Sequence, residues 1–224
     1  MADSAADQTH SDLRAGFRKG LPFVVPTLAV GISFGVLAEP VMGHVAPIVM
    51  SIVVFAGAAQ FAALGVLAAG GGAGAAIIAG LLMNVRFLPM GFAFAPSLRG
   101  RALKRAAQGQ AVIDASWAIA RRPDGTFNRG TLLGATIPQA SSWISGTVIG
   151  VFAGSALGDP KQFGIDAIFP AFFLALVWEE GGSRTSLAVA LAGGAITLAL
   201  MSFVPAGLAV IAASAAALAG LRRT

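Results

Sequence analysis

The sequence of 224 residues contains no cysteine and no tyrosine and has only two histidines, His10 and His44. The absence of cysteine excludes disulfides, thiolate zinc sites, cysteine-ligated iron–sulfur clusters and cysteine nucleophiles. Charged residues make up only 11% of the chain, against about 25% in a typical soluble domain. These absences remove most enzyme classes, and we predict neither an enzyme nor a bound metal or other cofactor.

Apolar residues make up 56% of the chain and the mean hydropathy is +0.80. Three stretches contain no Asp, Glu, Lys or Arg: Pro40 to Val85, Gly130 to Gly158 and Thr185 to Leu221. A helix needs about 20 apolar residues to cross the ~30 Å hydrocarbon layer, and backbone groups inside it must pair within the segment. The sequence therefore predicts an all-α polytopic membrane protein.

We expect about seven transmembrane helices, with six to eight as the range. The expected spans are Leu21–Ala38, Pro47–Ala69, Ala75–Ala95, Thr131–Ala153, Gly164–Trp178, Thr185–Met201 and Phe203–Gly220. Residues 1–16 are polar and predict a disordered cytoplasmic tail ahead of one transmembrane domain, residues 17–221. The net charge of +5 lies in short clusters between the spans, which is typical of a membrane protein and does not indicate nucleic-acid binding.

The basic clusters leave the topology open. They lie at Arg14/Arg18/Lys19, Arg99/Arg101/Lys104/Arg105, Arg121/Arg122/Arg129 and Arg222/Arg223. The positive-inside rule puts all of them in the cytoplasm, yet three apolar runs separate the first cluster from the second. Either one run is re-entrant or broken, or Gln108–Ile119 adds a thin extra crossing.

A faint internal repeat is a further hypothesis. The spacing Gly31-x3-Gly35 followed by Glu39-Pro40 compares with Gly146-x3-Gly150 followed by Asp159-Pro160. The possible halves are residues 17–96 and 130–201. Such duplication is common in secondary transporters, whose sites lie near the membrane midplane where helices break. Chance is the alternative, in a chain with 29 glycines and 11 prolines.

The strongest candidate site lies around Asn84 and Arg86, because Arg86 is the only charge between Glu39 and Arg99. An intramembrane arginine needs a partner or a water-filled cavity, and its guanidinium grips a carboxylate with two hydrogen bonds. Pro89 and Gly91 can break the helix just downstream. The alternatives are that Arg86 snorkels or pairs structurally with Asp114 or Asp166.

Gln60 and Gly57 form a second candidate binding element. Gln60 lies in the middle of an otherwise apolar run, where an unpartnered amide costs several kcal/mol. It is expected to bind a ligand or to hold two helices together. Gly57 thins the helix beside it and admits a ligand or a neighbouring backbone.

Asp114 and Asp166 are candidates for proton coupling, since desolvation raises the pKa of a carboxyl group within a membrane. Asp114 lies in the marginal segment Gln108–Ile119, and Asp166 could instead complement a helix dipole. Gly146, Gly150 and Gly154 repeat every four residues and predict a surface for close helix packing.

The ordered set of short segments resembles the AzlC family, the large subunit of branched-chain amino acid permeases. The segments are Gly20-Leu21-Pro22 through Gly31-Ile32-Ser33-Phe34-Gly35, Phe55-Ala56-Gly57-Ala58-Ala59-Gln60-Phe61, Asn84-Val85-Arg86, Asp114-Ala115-Ser116-Trp117-Ala118, and Gly164-Ile165-Asp166 with Phe172-Phe173. Phe87 stands where the family commonly has His, and Ile113 and Ala115 replace a Thr and a Glu.

The resemblance implies a bacterial cytoplasmic membrane protein that exports leucine, isoleucine, valine or methionine. It also implies a small AzlD-type membrane subunit as partner. From the residues alone, a second hypothesis stays open, in which the chain is an uncoupled channel for a small solute or carries another small metabolite.

Overall fold

The computed structural model describes residues 2–85, 87–157, 174, 184–204 and 213. Ten α-helices are seen in these ranges: α1 (Ala2–Gly20), α2 (Val24–Met42), α3 (Val45–Val53), α4 (Gly57–Ala68), α5 (Ala73–Asn84), α6 (Phe87–Phe94), α7 (Ala102–Gly109), α8 (Asp114–Ala120), α9 (Arg129–Leu157) and α10 (Arg184–Leu200). Turns of 3₁₀ helix cover Leu21–Phe23 and Ala95–Ser97. The described part contains no strand, so the all-α prediction is confirmed there.

The number of membrane spans remains a prediction. By length and composition, one helical stretch, Thr9–Met42, suffices to cross a membrane. The pair Ala73–Asn84 and Phe87–Ser97 would form a second span, bent by 50°. The expected run Gly164–Trp178 lies outside the described residues apart from Leu174. The expected run Phe203–Gly220 lies outside them beyond Val204, apart from Ala213.

The N-terminal segment differs from the expected disordered tail. Ala2–Gly20 is helical and continues through the turn Leu21–Phe23 into α2. A β-carbon built on Gly20 would lie 2.5 Å from the Ala135 carbonyl oxygen, so α1 packs backbone to backbone against α9. Within residues 1–16, Gly16 lies against Thr131 and Asp12 against Gly130, contacts that composition alone does not show.

Glycines form a close seam between α2 and α9. A β-carbon on Gly31 would lie 2.7 Å from the Trp143 carbonyl oxygen, and one on Gly146 would lie 2.5 Å from that of Leu28. Gly31 lies against Gly146 and Gly35 against Gly150, so the two helices are parallel. Residues that the sequence repeat equates thus contact each other across this seam.

Helices α3 and α4 form a hairpin that enters beside α9 and turns back. His44, just before α3, lies 5.9 Å from the Phe152 ring (centroid to centroid), whereas Ser51, further along α3, reaches Thr147. Helix α4 then returns, since Gly57 lies against Trp143 while Leu64 packs in one cluster with Phe34 and Ala38. The expected span Pro47–Ala69 is therefore broken at residues 54–56, which we call the first tip.

A second, shorter excursion comes from the end where α9 begins. Gln108 bonds to Arg129, the Ala111 carbonyl lies 2.8 Å from the Thr136 hydroxyl, and the chain then returns, with the Asn128 amide donating to Ala120 (2.9 Å). Helices α7 and α8, of eight and seven residues, are about 12 and 10 Å long, too short for a crossing. Gln108–Ile119 therefore forms no extra span. We call residues 110–113 the second tip.

Basic clusters that the sequence separates share one end of the molecule, where α9 begins. Arg129 donates to Gln108, whose amide donates to the Arg99 carbonyl, and the start of α9 packs against α1 at Asp12. We call this the basic end. A hairpin of α3 and α4 that makes no net crossing would agree with the positive-inside rule for the first three clusters, provided that α2 and the pair α5 and α6 each cross the membrane once. Arg222 and Arg223 lie outside the described residues.

Candidate functional site

A cavity of about 310 Å³ lies where the two tips meet. Its walls come from the start of α2, the first tip and α4, the junction of α5 and α6, the second tip and α8, and the middle of α9. The apolar lining includes Phe23, Val30, Phe55, Phe87, Ile113 and Trp143, and the polar lining comprises Thr27, Asn84, Asp114 and Gln139. A mostly apolar wall with a few polar groups is typical of a small-molecule site.

The first tip lines this cavity with irregular backbone at Phe55 and Ala56. Phe55 has a φ of 41°, a conformation that a bulky residue rarely adopts, and Ala56 is extended. Helix α4 begins immediately afterwards at Gly57, so its first amides and the positive end of its dipole lie at the cavity wall. This wall suits a negatively charged group.

Gln110 joins the two tips. Its side-chain amide donates to the carbonyls of Val53 (2.6 Å) and Val54 (3.0 Å), which the break in the hairpin has freed. The second tip is itself closed by Ser116, whose hydroxyl donates to Ala111 (2.7 Å). Side chains therefore supply the partners that a continuous helix would have provided.

Gln60 lies behind the cavity wall and is completely buried. Its side-chain oxygen accepts from the Trp143 indole (3.0 Å) and the Ala56 amide (3.3 Å), and its nitrogen donates to Ser51 (3.0 Å). Ser51 in turn lies 2.9 Å from the Thr147 hydroxyl, which donates to the Trp143 carbonyl. The amide thus ties both arms of the hairpin to α9, and Gln60 does not line the cavity.

Trp143 forms one wall of the cavity and is held on several sides. Its ring stacks on Phe34 at 5.9 Å and meets the edge of Phe61 at 6.3 Å, while Gln60 accepts from its indole nitrogen. A β-carbon on Gly57 would lie 3.0 Å from this ring. Because Gly57 has no side chain, the ring can lie against the first turn of α4.

The structure brings three of the six sequence-predicted binding and coupling residues to one cavity. Gly57, Asn84 and Asp114 all line it, although the sequence separates them widely. Asn84 ends α5 and Asp114 begins α8. Gln60 lies behind the cavity wall. Arg86 and Asp166 lie outside the described residues, so their positions stay predictions.

The expected helix break at Pro89 and Gly91 does not occur. Helix α6 runs continuously from Phe87 to Phe94, with Pro89 in its first turn, where a missing amide proton costs no hydrogen bond. The bend lies instead between Asn84 and Phe87, directly beside the cavity.

Sequence reasoning missed three contributors to this site. Gln110 and Thr27 carried no distinguishing signal, because polar residues near a predicted segment end are ordinary. Ser51 could have been found, since it is the one hydroxyl beside Gln60 in the same apolar run. In the described part of the chain, no group of three His, Asp or Glu side chains could hold a metal ion.

Gly146, Gly150 and Gly154 all face α2 in the structure. The first two approach its backbone closely, while a β-carbon on Gly154 would meet Val36 at an ordinary 3.4 Å. These glycines lie outside the cavity lining and belong to the seam.

Comparison with known proteins identifies the family. The model of the AzlC protein family matches residues 22–157. Inner membrane protein YgaZ of Escherichia coli is 29% identical over 84% of this chain and 81% of its own length. An uncharacterized membrane protein of Archaeoglobus fulgidus is 32% identical, covering 90% of this chain and 92% of its own length.

Branched-chain amino acid transport protein AzlC of Bacillus subtilis is 26% identical, covering 79% of this chain and 74% of its own length. No solved structure matches the chain. The matched residues 22–157 include both tips, the seam and every residue that lines the cavity. The chain therefore belongs to the AzlC family.

Proposed function

We propose that the protein is a secondary transporter that exports leucine, isoleucine, valine or methionine across the cytoplasmic membrane. The observation that carries the proposal is the cavity of about 310 Å³ between two broken segments, since transporter sites form where helices break. The family membership and the name of the Bacillus subtilis relative support a membrane transporter.

The apolar wall supports selection of apolar side chains. Aromatic rings of Phe23, Phe55, Phe87 and Trp143 surround the cavity together with Val30 and Ile113. A branched aliphatic side chain would bury its surface there at about 25 cal/mol per Å². A polar side chain would lose its hydration without gaining enough partners.

The polar groups support recognition of the amino-acid backbone. The start of α4 at Gly57 attracts the substrate carboxylate, and Asn84 offers a side-chain amide at the same wall. Arg86, two residues beyond Asn84, would complete the carboxylate site through paired hydrogen bonds. Asp114, the one carboxylate in the described lining, is the proposed contact for the ammonium group.

We assign proton coupling to Asp114, with Asp166 as the second candidate. A carboxylate that lines the substrate cavity can exchange a proton for the substrate ammonium, which would link export to the proton gradient. The protein would work with a small AzlD-type membrane subunit.

Counterflow in proteoliposomes tests the proposal. Purified protein is reconstituted alone and with a co-purified AzlD-type subunit, and uptake of labelled leucine against unlabelled leucine is measured. Accumulation that requires both proteins supports a two-component carrier. Leucine flux that neither saturates nor exchanges would instead support the channel hypothesis.

Arg86→Gln tests the carboxylate site. We expect loss of leucine counterflow by at least about 10-fold, because a lost charged hydrogen bond costs about 1.5–3 kcal/mol. Arg105→Gln, in an exposed basic segment away from the cavity, is the matched control and should transport normally. If Arg86→Gln transports as well as its control, Arg86 does not bind substrate.

A further inference from the structure

A second cavity, of about 300 Å³, lies at the basic end of the molecule. It is enclosed by α1, by the segment that follows α6 and by the start of α9. The lining consists of Thr9, Asp12, Pro96, Ser97, Arg99, Arg122, Phe127, Asn128, Arg129 and Gly130. None of these residues lines the cavity between the tips.

The charges of this second cavity are unbalanced. Arg99, Arg122 and Arg129 contribute three positive charges, and Asp12 contributes the one negative charge of the lining. Among the described residues, no carboxylate forms an ion pair with any of these arginines. The nearby Asp124 is engaged by Thr126, whose hydroxyl and amide donate to it at 2.7 and 2.9 Å and lower its pKa, with a smaller contribution from Arg122.

One of the three guanidinium groups, that of Arg129, is held in place by Gln108, which is only 6% exposed. Its oxygen accepts from Arg129 (3.1 Å), and its nitrogen donates to the Arg99 carbonyl (2.8 Å) and the Lys104 carbonyl (2.9 Å). The amide thus fixes one guanidinium and the backbone that carries a second. Fixed arginines lose little freedom when they bind an anion.

The start of α9 adds a further positive contribution. The Asn128 side chain accepts from the Thr131 amide (3.0 Å), so α9 is capped and its first turn begins at the cavity. Gly130, in that turn, is buried against Asp12, the one carboxylate of the lining. A helix of 29 residues directs its positive dipole end to the same place as the three arginines.

We propose that this cavity binds a phosphate group, carried either by an anionic lipid headgroup or by a free phosphate. Arginine side chains around a helix start provide the planar donors and positive potential that phosphate oxygens require. Basic pockets between helices at the cytoplasmic surface bind anionic headgroups, and the positive-inside rule places the basic end at that surface. This site is independent of the proposed transport site.

Native mass spectrometry of the full-length protein in detergent tests the proposal. The protein is titrated with phosphatidylglycerol, with zwitterionic phosphatidylcholine, and with inorganic phosphate in separate series. The test variant is Arg99→Gln with Arg122→Gln, both exposed in the structure. The control variant is Arg101→Gln with Arg105→Gln, which removes two arginines of the same region that do not line the cavity.

We expect the wild-type protein to bind phosphatidylglycerol in preference to phosphatidylcholine. The test variant should bind it at least about 25-fold more weakly, because each lost hydrogen bond between a guanidinium and a phosphate oxygen weakens binding by at least about fivefold. Binding by the control variant should change less than about threefold. Competition by inorganic phosphate would identify a free phosphate as a second source for the same site.

Two results would overturn the proposal. Equal weakening in the test and control variants would show diffuse attraction to the basic surface and no defined site. Equal affinity for the two lipids that the test variant does not lower, with no binding of inorganic phosphate, would show that the arginines bind no phosphate group. Thermal unfolding of both variants checks that each is folded before titration.

Discussion

The seam of α2 with α9 and the two tips beside it differ in how the backbone is packed and hydrogen-bonded. In the seam, two long helices stay continuous and approach until glycine backbones touch, even though Pro40 and Pro138 lie inside them. At the tips, the chain is broken without any proline, and side chains from distant segments complete the backbone hydrogen bonds.

The comparison separates the closely packed part of the molecule, the seam, from the part with polar groups near a cavity, the tips. The seam depends on shape, because there is no space for a β-carbon between its backbones. The tips depend on polar side chains, which leave helix starts and small residues open to a cavity. We infer that the seam is the scaffold against which the tips and the cavity are held.

The largest predicted effect concerns the seam. Gly146→Ala places a β-carbon about 2.5 Å from the Leu28 carbonyl, so the two backbones must separate. We expect a destabilisation of about 3 kcal/mol or more and little folded protein. Gly154→Ala, on the same face, meets Val36 at 3.4 Å and should remain folded. Size-exclusion chromatography after heating measures both; equal losses would show that the seam is not close-packed.

The next effect separates the two buried glutamines of the site region. Gln60→Leu leaves the Trp143 indole and the Ala56 amide without their partner, and each such loss costs about 1–3 kcal/mol. We therefore expect a clearly lower thermal midpoint. Gln139→Leu removes only a bond to the Ala135 carbonyl of its own helix.

Gln139→Leu should therefore keep its thermal midpoint while raising the KM for leucine, since Gln139 lines the cavity. Thermal unfolding and leucine transport are measured on both variants. If Gln60→Leu is as stable as Gln139→Leu, the buried network does not hold the first tip.

A smaller effect concerns substrate selection. Gly57→Ala adds a methyl group 3.0 Å from the Trp143 ring and narrows the cavity. We expect the preference for leucine over valine to fall about 10-fold, the discrimination typical of one methylene. Competition of unlabelled valine and leucine for transport measures the ratio. Gly91→Ala, in α6 with open space around it, is the control; an unchanged ratio in Gly57→Ala would place substrate elsewhere.

The helical class and the small or polar residues of the site could be predicted from the sequence. Gly57, Asn84 and Asp114 are recognisable because each interrupts an apolar or marginal segment, but nothing local shows that they face one cavity. The same limit applies to α1, whose contact with α9 nothing local shows.

There is a physical reason why the position of the first break could not be predicted from the sequence. Val54, Phe55 and Ala56 contain no helix-breaking residue, and the break persists because Gln60 and Gln110 bond to the exposed backbone groups. Prolines mislead in the opposite direction: Pro89 lies in the first turn of α6, and Pro138 lies inside an unbroken helix. Tertiary hydrogen bonds therefore override the local signal at the first break.

Substrate protection of an introduced cysteine tests the central claim, that substrate binds between the tips. The chain has no cysteine, so a single one can be added at Ala115, which lines the cavity, or at Ala118, which is exposed on the same helix. The account predicts that leucine slows thiol modification at position 115 and leaves the rate at position 118 unchanged. Equal rates at position 115 with and without saturating leucine, in protein that transports leucine, would contradict it.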